Sequence, residues 1–262
     1  MDLGIRGKRA IVNGGSAGLG RGSALALARE GVDLVISARG EERLRASCAE
    51  IARETGVSVT PVAVDHSTPE GRAQILAACP NPDILVMTCS PPVVTGDYLA
   101  IEPSDWQANL AVTVISPVEF VRATIAGMVE RRWGRIVNIG TVAAKFPSEA
   151  RILSGGPRAA LNNYLVAVAK KVARHNVIVN NMLPGMHHTA GAETGFRRAA
   201  ERNGTTYQQE VTAYARKLRI PQGDFGDADD FGAFCALLCS QQAKYVVGQS
   251  IVIDGGVGNA TF

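Results

Sequence analysis

Cysteine is sparse in this chain and has no pattern. Its five residues (Cys48, Cys79, Cys89, Cys235, Cys239) form no C-x-x-C pair and no ligand set with histidine, which argues against a metal clip or a disulfide framework. An odd, scattered count suits a reducing cytoplasm. Cys235 and Cys239, four apart on an apolar helix face, are expected to be core residues rather than metal ligands. Long apolar runs are missing too: none approaches the ~18 residues of a membrane span, and the stretch MDLGIRGKRAIV has no signal-peptide apolar region. A soluble cytoplasmic protein with no membrane partner is therefore expected. Charge of one sign is also absent, because a formal net charge of +3 is too small and too dispersed for a nucleic-acid partner. The one cluster, Arg131, Arg132 and Arg135, falls near the end of an expected helix, where cations complement the dipole. Nothing repeats, no segment is of low complexity, and nothing looks like a linker, so 1–262 reads as one domain.

What is present is an ordinary globular composition, 46% hydrophobic and 19% charged, in a chain long enough to bury roughly three quarters of its unfolded surface without a metal or disulfide. Short β-rich runs alternate with longer helical patterns. That alternation predicts parallel βαβ units, hence an α/β fold with a doubly wound parallel sheet and helices on both faces. The expected strands are Arg9–Asn13, Asp33–Ser37, Val57–Val64, Ile84–Thr88, Arg135–Ile139, Val177–Asn181 and Ser250–Ile253. Helices are expected near Leu19–Glu30, Glu41–Thr55, Pro103–Arg131 (bent at Pro117), Ala159–Arg174 and Ala228–Ser240. Residues 186–220 have poor periodicity and many polar residues, the pattern of a mobile substrate-covering segment.

Asn13-Gly14-Gly15-Ser16-Ala17-Gly18-Leu19-Gly20 lies between the first strand and the first helix. Glycine there permits a tight turn and close approach of backbone to a pyrophosphate, which the free N–H groups of the following helix would meet. The alternative is a tight turn that binds nothing. At the end of the second strand, where an acidic residue would select NAD(H), the chain reads Ser37-Ala38-Arg39. Arg39 tilts the choice to NADP(H), through its 2′-phosphate, unless it is only a solvated residue opening the next helix. Asp65, ending the third strand, either accepts a bond from the adenine amine or caps the following helix.

Taken together these residues resemble the short-chain dehydrogenase/reductase family, over essentially the whole chain. Asn13 to Gly20 is similar to the family's T-G-x-x-x-G-x-G, which implies cofactor contacts at Gly14, Ser16, Gly18, Leu19 and Gly20. Trp106-Gln107-Ala108-Asn109-Leu110 resembles the helix that supplies the active-site asparagine, here Asn109. Arg135 to Thr141 resembles the strand ending at the catalytic serine, with Thr141 in its place. Pro184-Gly185 with Thr189 is similar to the P-G-x-x-x-T that holds the nicotinamide amide, and Gly248-Gln249 with Asp254-Gly255-Gly256 to the last strand. The resemblance implies a single Rossmann-type domain, a carbonyl/hydroxyl small-molecule substrate, no metal, and assembly as a dimer or tetramer of itself or with a homologous chain.

Two departures fall on the chemistry. Met87-Thr88-Cys89-Ser90, followed by the Pro91-Pro92-Val93-Val94 loop expected to shape the pocket, stands where the family has N-N-A-G. Counted back from Ala159-Ala160-Leu161, the Y-x-x-x-K motif falls on Ser154-Gly155-Gly156-Pro157-Arg158. Tyr164 lies ten residues late and is out of register. An aliphatic hydroxyl is a far weaker acid than a phenol, whose pKa of about 10 a neighbouring cation lowers. Pro157 favours the first helical position, which would leave Ser154 on a loop and not stacked beneath Arg158. Arg158 keeps a cation for ribose hydroxyls or an anionic substrate, and Thr141 either polarises a carbonyl or bonds its local backbone. His187 and His188 are candidate replacement acids, or two surface histidines. Three functions remain: an atypical NADP(H)-dependent oxidoreductase, a non-catalytic subunit pairing with an active homologue, and a non-redox lyase-type enzyme using Ser154 and Arg158.

Overall fold

The computed structural model describes residues 1–90 and 95–258; the Pro91–Val94 loop lies outside them. Seven strands, β1 (Arg9–Asn13), β2 (Asp33–Ala38), β3 (Val59–Ala63), β4 (Ile84–Met87), β5 (Gly134–Ile139), β6 (Val177–Pro184) and β7 (Ser250–Ile253), pair in parallel in the order β3-β2-β1-β4-β5-β6-β7. The order reverses between β1 and β4, which opens a crevice at the carboxyl ends of the strands.

The period-2 alternation of the central strands sends neighbouring side chains to opposite faces. Val12, Ile84 and Val86 face a core with α1 (Gly18–Arg29), α2 (Glu41–Thr55) and α9 (Ala228–Leu238). Ile11, Leu85 and Met87 face another with α3 (Pro69–Ala78), α5 (Ser116–Glu130) and α6 (Ile152–Val172). Helices α1 and α9 touch backbone to backbone, since a Cβ on Gly22 would lie 2.2 Å from the Ala228 oxygen and one on Gly232 2.2 Å from the Gly22 oxygen. Cys235 and Cys239 are buried core residues.

The expected Pro103–Arg131 helix is three pieces: α4 (Pro103–Leu110), a π-helical turn at Ala111–Ile115, and α5. Pro117 sits at the start of α5, and the wide turn before it absorbs the bond its missing N–H cannot make. An 18-residue window of this 28-residue stretch has a mean hydropathy of 1.5, apolar enough by composition to cross a membrane. Phe120, Val121 and Met128 bury one face of it against the sheet.

Four expectations need correction. Helix α6 starts at Ile152, so Ser154 is helical and Pro157 lies inside; Pro157 removes one hydrogen bond, but burial of Leu153, Leu161 and Leu165 holds the helix through it. Residues 186–220 contain α7 (Ala190–Asn203) and α8 (Tyr207–Lys217), the latter opened by a Thr206/Gln209 capping box. A separate apolar cluster of Val211, Ala215, Ile220 and Phe225 packs this segment. Arg135 is no helix-end cation: it is buried on β5, donating to the Ser240, Gly134 and Asn176 carbonyls at 2.9 Å each. Thr68, not Asp65, caps α3 by accepting from the Gly71 N–H at 3.0 Å.

Candidate active site

The glycine segment turns from β1 into α1 at the crevice. Gly14 has φ +71°, and a Cβ there would lie 2.7 Å from the Thr88 oxygen, so neither its conformation nor its space admits a side chain. A Cβ on Gly20 would lie 2.3 Å from the Gly14 oxygen, which keeps α1 tight against the turn. Asn13, at the family's threonine position, accepts the Ser37 hydroxyl proton at 2.8 Å and ties β1 to β2. Helix α1 has no side-chain cap and no acidic residue in its first turn. Its orphan N–H groups are left to an anion, which is the fit that a dinucleotide pyrophosphate requires.

Two clefts meet over this turn. One, of about 370 Å³, is lined by Gly14, Ser16, Arg39, Arg43, Asp65 and His66. The other, of about 630 Å³, is lined by Leu19, Arg151, Gly185, His187, Thr189 and Tyr214. Cys89 and Ser90 line both, so the clefts form one furrow across the switch point. Pro184 ends β6. Thr189 caps α7 by accepting from the Ala192 N–H at 3.3 Å, and its methyl would lie 3.2 Å from a Cβ on Gly18. The segment that resembles the nicotinamide holder thus abuts the glycine turn.

Burial opposes ionisation of Asp65, but bonds from Ser67 and the nearby charges of His66 and Arg39 hold its carboxyl below the usual range. Burial likewise pushes the His66 imidazole down, partly offset by Asp65. Ser116 donates its hydroxyl proton to the His66 carbonyl at 2.7 Å, so it accepts from His66 Nδ1 at 2.8 Å. That pair fixes the proton on Nδ1 and leaves Nε2 as the acceptor.

On α6, Ser154 lies one helical turn from Arg158, which donates from Nη1 to the Ser154 hydroxyl at 3.0 Å. Nη2 donates to the Cys89 carbonyl at 2.9 Å and contacts the Cys89 sulfur at 3.4 Å. Arg158 is 4% exposed and Ser154 5%, and among the described residues no carboxylate pairs with Arg158. Burial pushes the Cys89 thiol up, with Arg158 working against it. Thr141 accepts from the Ala143 N–H at 3.3 Å, a local backbone bond. Asn109 is buried, donates to the Asp105 carbonyl at 3.1 Å, and leaves its own Oδ1 without a partner.

The two histidines part company. His187 lines the furrow, but its Nδ1 faces the Gly185 carbonyl at 3.3 Å and burial pushes its pKa down. Neutral, with its proton on Nδ1, it has none on Nε2 to donate. His188 is held between Tyr207 Oη (2.7 Å) and Asp224 (3.3 Å), clasping α8 to the following loop. Sequence reasoning misses Arg43, Arg151 and Tyr214 as lining residues, and has Cys89 only as part of the departing Met87–Ser90 stretch. Only Arg43 carried a signal, four residues after Arg39 at the start of a helix.

Residues 14–258 match the family model described as enoyl-(acyl carrier protein) reductase. A 3-oxoacyl-[acyl-carrier-protein] reductase of Aquifex aeolicus is 28% identical over 263 residues, covering 98% of this chain and 100% of that protein. Among solved structures, the L-sorbose reductase of Gluconobacter frateurii complexed with NADPH and L-sorbose has a TM-score of 0.93 at 28% identity, covering 99% of this chain and 100% of that one. A 3-oxoacyl (acyl-carrier-protein) reductase of Agrobacterium tumefaciens C58 with NADP bound has a TM-score of 0.86 at 27% identity, covering 97% and 96%. The match runs from the glycine turn past the last strand, and its relatives align end to end, so the chain belongs to the short-chain dehydrogenase/reductase family.

Proposed function

We propose that this chain is an NADP(H)-dependent oxidoreductase that interconverts a carbonyl and a hydroxyl on a small-molecule substrate. One observation carries the reading: a single furrow runs from the Arg39–Arg43–Ser16 end, past Cys89 and Ser90, to Gly185 and Thr189. That furrow has a cationic pocket for a 2′-phosphate at one end and a half-apolar chamber at the other. The solved relatives complexed with NADPH or NADP support the same preference.

Within the furrow, the α1 amides and the glycine turn take the pyrophosphate, while Asp65 accepts from the adenine amine. Arg39 and Arg43 pair with the 2′-phosphate. Gly185 and Thr189 hold the carboxamide end. When bound, the dinucleotide supplies or takes the hydride. Arg158, buried against Cys89 where the two clefts meet, supplies the cation that bonds ribose hydroxyls and favours an oxygen gaining negative charge. Thr141, in the place of the family's serine, keeps its own proton to polarise the carbonyl. Exposed Trp106, Leu110 and Ile115 along α4 and the π turn support assembly as a dimer or tetramer.

Titration with NADPH and NADH, followed by fluorescence or calorimetry, and turnover over a carbonyl panel test the reading. We expect micromolar NADPH binding, weaker NADH binding, and NADPH oxidation with at least one ketone. No binding of either nucleotide at millimolar concentration rejects the proposal. Tight binding without turnover favours a non-catalytic subunit.

A further inference from the structure

One charge in the furrow has no task so far. Arg39 and Arg43 serve the 2′-phosphate and Arg158 the ribose, whereas Arg151 lines the chamber at the other end. It is exposed, and among the described residues it joins no ion pair. No described carboxylate lines that chamber. The acids nearby are engaged or face elsewhere: Glu193 pairs with Arg197, Asp97 accepts from the Leu99 N–H at 3.0 Å, and Glu149 is not part of the wall. His187 and Cys89 do line it, but burial holds the imidazole and the thiol in their neutral forms. Arg151 is thus the one full charge on the described wall, and it is positive.

Its position sharpens the point. Arg151 is the N-cap residue of α6, with no side-chain cap bond and no acid in the first turn of the helix. A 21-residue helix carries a partial positive charge at that end, so a guanidinium there is repelled where serine or aspartate would be held. An anion entering the chamber reverses the sign of that placement, because dipole and guanidinium then attract the same charge. Leu19, Met186 and Phe196 make other parts of the wall apolar.

We propose that the substrate is an oxo acid, whose carboxylate pairs with Arg151 while its ketone lies beside the dinucleotide; this rests on the reductase reading above. The planar guanidinium fits a carboxylate through two parallel bonds. A single unpaired cation balances one negative charge, which favours a monocarboxylate over a phosphate ester carrying about −2. The apolar walls suit a hydrocarbon link between the two groups. The ketone carbon takes the hydride that converts NADPH to NADP⁺, and its oxygen takes one proton from water. The product is a hydroxy acid with its carboxylate unchanged.

Rates of NADPH oxidation with pyruvate, acetoacetate and levulinate, each beside its methyl ester, test the idea. The best acid should exceed its ester in kcat/KM by at least about 10-fold. Arg151→Met should cut that acid's kcat/KM by about 10–100-fold, mostly through KM, since the pair forms in ground and transition states alike. Arg151→Lys should recover part of the loss, and Arg53→Met, on α2, should match the parent. The melting temperature of Arg151→Met should not fall, because the substitution relieves the repulsion at the helix end. A second readout needs no turnover: by calorimetry the NADP⁺-loaded protein should bind the acid more tightly than the ester, by a margin that shrinks as salt rises. A loaded protein with no preference for the acid overturns the proposal, as does Arg151→Met with kcat/KM for the acid within about threefold of the parent. Turnover of neutral ketones alone overturns it too and leaves the reductase reading standing. Failure of either nicotinamide nucleotide to bind refutes that reading first and removes the proposal with it.

Discussion

Replacing Arg158 with methionine separates what a buried cation does for the fold from what it does for chemistry. The guanidinium is 4% exposed, and its partners are all neutral: the Ser154 oxygens and Cys89. Burying an ion costs several kcal/mol, and no described carboxylate offsets it here. Methionine has nearly the same length and removes that cost. It also orphans the Cys89 carbonyl, at about 1–3 kcal/mol, while the Ser154 hydroxyl can turn to its own helix. The opposing effects nearly cancel, so stability should change by no more than about 2 kcal/mol, or roughly 4–8 °C in melting temperature. Turnover should fall by about 10²–10³-fold, the cost of one oxyanion-stabilising donor. Denaturant titration and NADPH oxidation on the same preparations decide the matter. A loss above about 3 kcal/mol, or activity close to the parent's, would refute the argument that this charge is kept for function.

Arg39→Ala should weaken NADPH binding by about 10–100-fold, the worth of one charge-assisted bond, and leave NADH within about twofold; equal losses for both nucleotides would take Arg39 off the 2′-phosphate. Gly22→Ala forces a methyl to within 2.2 Å of the Ala228 oxygen, so unfolding in denaturant should show a loss of at least ~1–3 kcal/mol; a change below about 0.5 kcal/mol would contradict the close α1–α9 approach. His66 and His187 are both held by burial below the ordinary histidine value of 6.5. Their unfolded forms therefore bind protons first, so stability should be full above about pH 6.5 and drop as pH falls through the lower folded values. His187→Asn should flatten part of that acid limb, and an unchanged slope would refute its neutral burial.

Strands and the glycine turn were legible because their signals are local. Arg9–Asn13 and Ser250–Ile253 are short apolar runs bounded by turn chemistry, and both end where the residues alone put them. The α6 start was misread because Pro157 is a strong local stop, while the burial that carries the helix past it is non-local. The 186–220 segment looked structureless for the same reason. Its helices are anchored by Phe225, which lies beyond the segment, so no window within it reports the packing. Tyr214 reaches its cleft only through the packing of α8, which no local pattern reports. The grip of Arg158 on Cys89, 69 residues away, has no sequence signature.

The glycine-to-glycine crossing of α1 and α9 has an implication for biogenesis. Helix α1 rests on α9, some two hundred residues later, so a nascent chain that lacks α9 lacks the surface on which α1 and its glycine turn settle. Ribosome-bound or C-terminally truncated chains ending before Ala228 should stay incompetent for nucleotide capture, although every glycine of the loop has already been synthesised. Maturation is thereby deferred until α9 has emerged.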